Sequence, residues 1–171
     1  MARITILLMA LLFGLAACAV PDSGGRLGPD GKPLPNAYKI RKSQTAKIQF
    51  RMLDSVNALR GASGVGAVQM NPQLNAAAQA HSLDMSVQGR PWNFGSDGSS
   101  PIDRVQRAGY SGGVVGENIS ESFESELETL AAWMEDPGTR AVILEPRAVN
   151  MGFAWYQEPS GKIWWTLLMG S

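Results

Sequence analysis

The chain has 171 residues, with 15 basic and 15 acidic side chains that cancel, and a single cysteine and a single histidine. That length suffices for one domain with a proper core, and the balanced charge offers no basic excess of the kind nucleic acid requires. One cysteine cannot form an internal disulfide, so its thiol needs another use.

The N-terminus reads as an export signal. Arg3 supplies the positive charge, residues 4–15 an apolar run too short to span a bilayer, and Leu15-Ala16-Ala17-Cys18 a cleavage site. That tetrapeptide resembles a bacterial lipobox, in which the cysteine is acylated and becomes the new N-terminus. Lipidation at Cys18 would anchor the chain to a lipid bilayer, each buried methylene contributing about 0.8 kcal/mol. Ala19, and not an aspartate, follows the cysteine. By resemblance to lipoproteins of two-membrane bacteria, this points to the outer membrane, facing the periplasm.

The domain divisions are therefore a signal peptide over 1–17, a lipidated tether over 18–42 and a globular domain over 43–171. The tether is rich in Gly, Pro, Ser and Asp and has no apolar period. About 25 such residues have an r.m.s. span of roughly 25–30 Å. Charge is uneven along the chain. From Ala19 to Arg51 seven basic residues (Arg26, Lys32, Lys39, Arg41, Lys42, Lys47, Arg51) face only Asp22 and Asp30, whereas from Met52 onward seven basic residues face thirteen acidic ones. A basic tether beside an acyl anchor suits anionic headgroups, at about 1 kcal/mol per residue near the surface.

Within the domain, Ile48, Met52, Val56 and Leu59 form one helical stripe, ended by Gly61 and Gly64. Asn71 and Pro72 give the N-cap and first turn of a second helix, with Leu74, Ala78, His81 and Met85 on one face and Gly89 at its close. Ser100-Pro101 starts a short third helix that Gly109 ends. Ser125 and Glu128 have capping-box spacing for a fourth helix, and Asp136-Pro137 opens a short helical turn through Leu144. Alternation from Val149 to Tyr156, a turn at Glu158-Pro159-Ser160-Gly161 and the apolar run 163–169 predict a C-terminal hairpin. Shorter strands are expected over 67–70 and 117–119. Helices followed by a hairpin indicate an α+β domain.

Several segments together resemble the CAP superfamily (cysteine-rich secretory, antigen 5 and pathogenesis-related proteins, also called SCP-like). Leu53, Asn57 and Arg60 fit its first-helix pattern, and Ala78, His81, Asp84 and Met85 its second. Gly95-Ser96-Asp97-Gly98, Ala108-Gly109-Tyr110, Gly116-Glu117-Asn118-Ile119 and Trp133-Met134 with Pro137-Gly138-Thr139-Arg140 follow in order. The resemblance covers residues 48–170 and implies a three-layer α–β–α sandwich around a small antiparallel sheet, with a polar cavity at Asn93, Glu117, Asn118, Asp136 and Thr139.

Two histidines mark that cavity in the family, and here Asn93 and Thr139 stand in their places. An amide and a hydroxyl are poor ligands for zinc and do not titrate near neutral pH. No metal, other cofactor or catalytic residue is therefore assigned. Glu117 is expected to accept hydrogen bonds from backbone amides or from Asn93 and Thr139. His81, on the apolar stripe, is expected to be a core residue. Asp136 is expected to be an N-cap, and the tryptophans of the hairpin to be mostly core. No nucleophile motif stands out. The function expected is non-catalytic binding of a small apolar molecule, a cell-envelope fragment or a protein partner. The alternative is a peptidase-like hydrolase using Glu117 with Glu135 or Asp136.

Overall fold

A computed structural model describes residues 37–171. The expected signal peptide, Cys18 and most of the expected tether lie outside the described residues.

The first helix, α1 (Thr45–Ala62), follows a short 3₁₀ turn (Lys42–Gln44) and buries Ile48, Met52, Val56 and Arg60 along one face. A two-residue strand β1 (Gln69–Met70) leads into α2 (Pro72–Gln88). Asn71 caps α2 by accepting from the amides of Gln73 and Leu74, and Gly89 closes it at φ +67°, a conformation glycine adopts without strain. Capping boxes at Ser100/Asp103 and Ser125/Glu128 open α3 (Pro101–Arg107) and α4 (Glu126–Glu135). Asp136 opens α5 (Pro137–Ile143). Between α3 and α4 runs β2 (Val114–Ser122), and the chain ends in the hairpin β3 (Asn150–Gln157) and β4 (Ile163–Gly170).

The strands form one sheet in the order β1-β3-β4-β2. The two pairs made by β4 are antiparallel, as expected, but β1 runs parallel to β3. The sheet is therefore mixed. A parallel neighbour requires a long crossover, and the helices between β1 and β3 provide it. At nine residues, β2 is longer than its sequence signal. Its last third, Ser120-Glu121-Ser122, carries no apolar alternation, and pairing with Trp165, Trp164 and Ile163 of β4 makes it a strand.

Each face of the sheet carries its own core. On one side Ile48, Met52 and Val56 of α1, Leu130 and Trp133 of α4 and Ile143 of α5 pack on Met151, Phe153, Trp165 and Leu167. On the other, Leu74, Ala77 and Ala78 of α2 and Val105 of α3 pack on Ala154 and Leu168. The result is a three-layer α–β–α sandwich. Close approach of α2 depends on Gly152, where a Cβ would stand 2.5 Å from Leu74 Cβ. Trp164 and Trp165 are buried. The exposed large aromatics lie elsewhere, at Phe50 in α1 and at Trp92 and Phe94 after α2.

The fold takes in part of the stretch that composition assigns to the tether. The Tyr38 amide donates to Phe123 O (2.8 Å), and the Gln157 side chain clamps the strand-like stretch by accepting from Ile40 N (3.0 Å) and donating to Tyr38 O (2.6 Å). Tyr38 and Ile40 also pack against the α1-side core. Two apolar residues among Lys and Arg carry no period, so only their tertiary partners mark them as domain.

Candidate functional site

Alternation along β2 divides the expected cavity residues between the two faces of the sheet. Glu117 stands opposite Leu168, which belongs to the α2–α3 core, whereas Asn118 stands opposite Leu167, which belongs to the other. Glu117 therefore projects towards α2 and α3, and Asn118 towards α5.

The Glu117 carboxylate is 2 % exposed and is met there by a cation. Arg104 Nη2 donates to both of its oxygens, at 2.9 and 2.7 Å, and Asn93 Nδ2 donates to Oε1 at 3.1 Å. Arg104 comes from the inward side of α3. Its Nη1 donates to the carbonyls of Asn93 and Ser99, both at 3.0 Å, so one guanidinium ties the loop after α2 to the edge strand. Burial pushes the Glu117 carboxyl above the usual carboxylate range, against the pull of the Arg104 charge and of the hydrogen bonds from Arg104 and Asn93.

His81 from α2 completes the cluster, with Nε2 3.9 Å from Glu117 Oε1. Its side chain is fully buried, and neither ring nitrogen has a hydrogen-bond partner among the described residues. Burial, and after it the positive charge of Arg104, lower its pKa to about 4, while the Trp92 backbone and the Asp84 carboxylate pull the other way. The neutral ring is thus the folded form. Because the folded pKa lies below the unfolded value, its contribution is complete above about pH 6.5 and is lost as pH falls towards 4, an effect of about 3 kcal/mol. We expect His81→Gln to flatten the stability profile between those limits in urea titrations. A profile parallel to that of the wild type would show that His81 does not set it.

The loop that presents Asn93 is itself held by α2. Asp84 accepts from Ser96 N (2.8 Å), Ser96 Oγ and Gln88 Nε2 (2.9 Å). Burial would raise its carboxyl, but these bonds outweigh it and hold the group below its usual value. Asp97 Oδ1 accepts from Ser99 N at 2.9 Å, and Gly98 follows at φ +79°. The Gly-Ser-Asp-Gly element is therefore a built turn that aims Asn93 and Ser99 at Arg104.

The remaining cavity residues form a second arrangement on the α5 side. Asn118 Nδ2 donates to Thr139 O at 2.8 Å, and Thr139 Oγ1 donates to Trp133 O at 2.7 Å. Asp136 Oδ1 accepts from Gly138 N and Thr139 N, both at 2.9 Å, and the Thr139 amide leads the bonds that hold its carboxyl below the usual range. Thr139, Asp136 and Glu135 make no hydrogen bond to Glu117 in this structure. The five residues thus fall into two separate groups, Asn93 with Glu117 and Asn118 with Thr139 and Asp136.

Arg104 is the residue sequence reasoning missed. Its available signal was a position beside Val105 on the buried side of a short helix. A guanidinium 2.7 Å from Glu117 Oε2, with an amide and a hydroxyl at the other two positions, does not fit a divalent metal. Among the described residues no three His, Cys, Asp or Glu side chains are grouped to hold one.

Two recesses flank the cluster. One, of about 480 Å³, lies between α2 and α3 over Ala76, Ala77, Ala80 and Ala108, with Asp84 and Arg104 in its wall. The other, of about 420 Å³, is bounded by Arg90, Trp92 and Phe94. The two rings are tilted with centroids 5.4 Å apart, and the Arg90 guanidinium lies 4.3 Å from the Trp92 ring centroid.

A three-layer α–β–α domain with a Gly-Glu-Asn-Ile edge strand and a Gly-Ser-Asp-Gly loop defines the class. The family model of the cysteine-rich secretory protein family, CAP, matches residues 53–169, and the chain belongs to this family. It is 28% identical over 135 residues to the uncharacterised protein YkwD of Bacillus subtilis, covering 79% of this chain and 52% of YkwD, so it spans about half that relative's length. The fold is similar to that of an outer surface protein of Borrelia burgdorferi, with TM-score 0.68, 14% identity, and 79% and 98% of the two chains covered. An extracellular SCP-domain protein of Bacillus anthracis also has TM-score 0.68, at 19% identity, with 78% of this chain and 45% of that one covered.

Proposed function

We propose that this protein is a CAP domain tethered in the cell envelope through acylated Cys18, on the outer membrane facing the periplasm, which binds its ligand without transforming it. The observation that carries the non-catalytic part is the state of Glu117. Its carboxylate is buried and already bonded to Arg104 and Asn93, and the imidazole beside it is buried and neutral. A carboxylate held in an ion pair with arginine is a poor general base. Of the two partners a hydrolase could use, Asp136 is committed to two backbone amides and Glu135 makes no hydrogen bond to Glu117.

The ligand classes that suit the domain are a small apolar molecule, a cell-wall fragment or a protein partner. The alanine-floored recess between α2 and α3 and the Trp92–Phe94 pair are the surfaces offered to them. Anchoring draws support from the Leu15-Ala16-Ala17-Cys18 tetrapeptide after an apolar run, and an envelope setting from the extracellular and outer-surface proteins that share the fold.

Cells expressing the full chain and fed a clickable fatty-acid analogue test the anchor. We expect label on the wild type in the membrane fraction and none on Cys18→Ser. An unlabelled wild-type chain recovered from the soluble fraction would refute it.

A further inference from the structure

We propose that the edge formed by Lys39, Arg41, Lys42, Lys47 and Phe50 is the face on which this domain rests against an anionic lipid bilayer. The proposal deepens the envelope-anchored reading above and takes from it only that a membrane is close by. All five side chains are exposed, and Phe50 is 67% exposed, the most open aromatic residue of the described chain. Lys47 and Phe50 are one turn apart on the solvent face of α1, and the other three cations lie in the stretch that enters it. None of the four cations is in an ion pair among the described residues, although elsewhere Arg51, Arg104, Arg107, Arg147 and Lys162 all are.

Four unpaired cations around one apolar ring suit an interfacial site, where headgroup phosphates take the charges and the ring enters the acyl boundary. The opposing charges are few. Asp54 lies one turn beyond Phe50, and Glu158 lines the recess of about 600 Å³ beside Lys39 and Arg41. Glu158 Oε1 is already bonded to Trp164 Nε1 at 2.7 Å.

The chain outside the described residues supports the same occupant. It runs from Cys18 to Asn36 and joins the domain at this edge. The junction is fixed, because Phe123 and Gln157 hold Tyr38 and Ile40, and Arg51 donates to Tyr38 Oη at 3.1 Å while pairing with buried Glu126. A tether leaving from a pinned point would present its neighbours to the membrane first. Because α1 and α2 cover opposite faces of the sheet, docking through α1 leaves the α2–α3 layer, with its recess and the Trp92–Phe94 pair, open to solvent.

The test uses residues 19–171, which contain the whole compact unit and carry no acyl chain, so its outcome does not depend on lipidation. Flotation is measured with phosphatidylglycerol-containing vesicles and with phosphatidylcholine vesicles. We expect binding to the first only, weakening with salt. Lys39→Glu, Lys42→Glu and Lys47→Glu together should lower it by roughly a hundredfold or more. Phe50→Ala should lower it about tenfold with an unchanged melting profile. Equal binding to both vesicles, no loss in the charge-reversed variant, or affinity for heparin without affinity for the vesicles would overturn the proposal. Palmitate-type labelling of Cys18 without vesicle preference here would leave the anchor standing and remove the docking face.

Discussion

Arg104→Met should lower the unfolding free energy by about 3–5 kcal/mol, because it strands a buried charge. In the wild type Arg104 neutralises Glu117 and satisfies the carbonyls of Asn93 and Ser99. Without it the carboxylate has only Asn93 Nδ2, and the loop after α2 loses its link to β2. Glu117→Gln should cost less, since a neutral amide can still accept from Arg104. Replacing both partners by apolar residues, Arg104→Met with Glu117→Leu, should recover much of the loss. The pH dependence has a defined sign. In the single variant Glu117 has a folded pKa raised by burial and no longer opposed by arginine. Its contribution to stability is therefore complete below the ordinary glutamate range and is lost as pH rises through the folded value. Urea denaturation across pH reads this. A variant that destabilises equally at pH 4 and pH 8 would show that the Glu117 charge is not the cause.

Arg60→Met should cost a similar amount, about 3–5 kcal/mol, for a different reason. Arg60 is fully buried at the end of α1, and its guanidinium donates to four carbonyls: Gly66 (2.7 Å), Ile143 (2.8 Å), Glu145 (3.0 Å) and Ala148 (3.0 Å). It fastens the α1–β1 turn to the α5–β3 connection, and removal leaves buried acceptors unpaired. Lysine cannot replace the fork, having three donors on one point charge, so Arg60→Lys should recover less than half the loss. Near-wild-type melting of Arg60→Lys would contradict this. Asn57 acts beside it, donating to Val68 O at 3.0 Å and accepting from Val68 N at 2.8 Å. The Leu-x-x-x-Asn-x-x-Arg pattern of the first helix is thus a structural clamp that orders the approach to β1.

Local signals in the sequence marked the helices well, because their ends are set by residues acting on their own neighbours. Asn71-Pro72, Ser100-Pro101, Ser125 with Glu128, and Asp136-Pro137 each begin a helix by satisfying amides two or three residues on. The hairpin was legible for the same reason, through alternation and one turn. Features made by distant partners were not. The full length of β2 depends on β4, the parallel course of β1 depends on the route of the chain through the helices, and Tyr38 and Ile40 join the domain through Phe123 and Gln157. The cavity suffered most from this limit. Motif matching brought Asn93, Glu117, Asn118, Asp136 and Thr139 together, but alternation along β2 sends Glu117 and Asn118 to opposite faces. Arg104 was overlooked because a charged residue in a seven-residue helix reads as solvent-facing until Glu117 is seen beneath it.

The residues of the cluster therefore stabilise one another around an ion pair, and the proposed binding falls to the surfaces beside them. Native mass spectrometry of the chain extracted from membranes in mild detergent, without chelator and after equilibration with zinc, tests this most directly. The expected spectrum shows the acylated chain with no stoichiometric metal and with a retained lipid, glycan or protein mass. A metal held at one equivalent in the wild type and lost in Glu117→Gln would contradict it, since Arg104 could not then be the partner of that carboxylate.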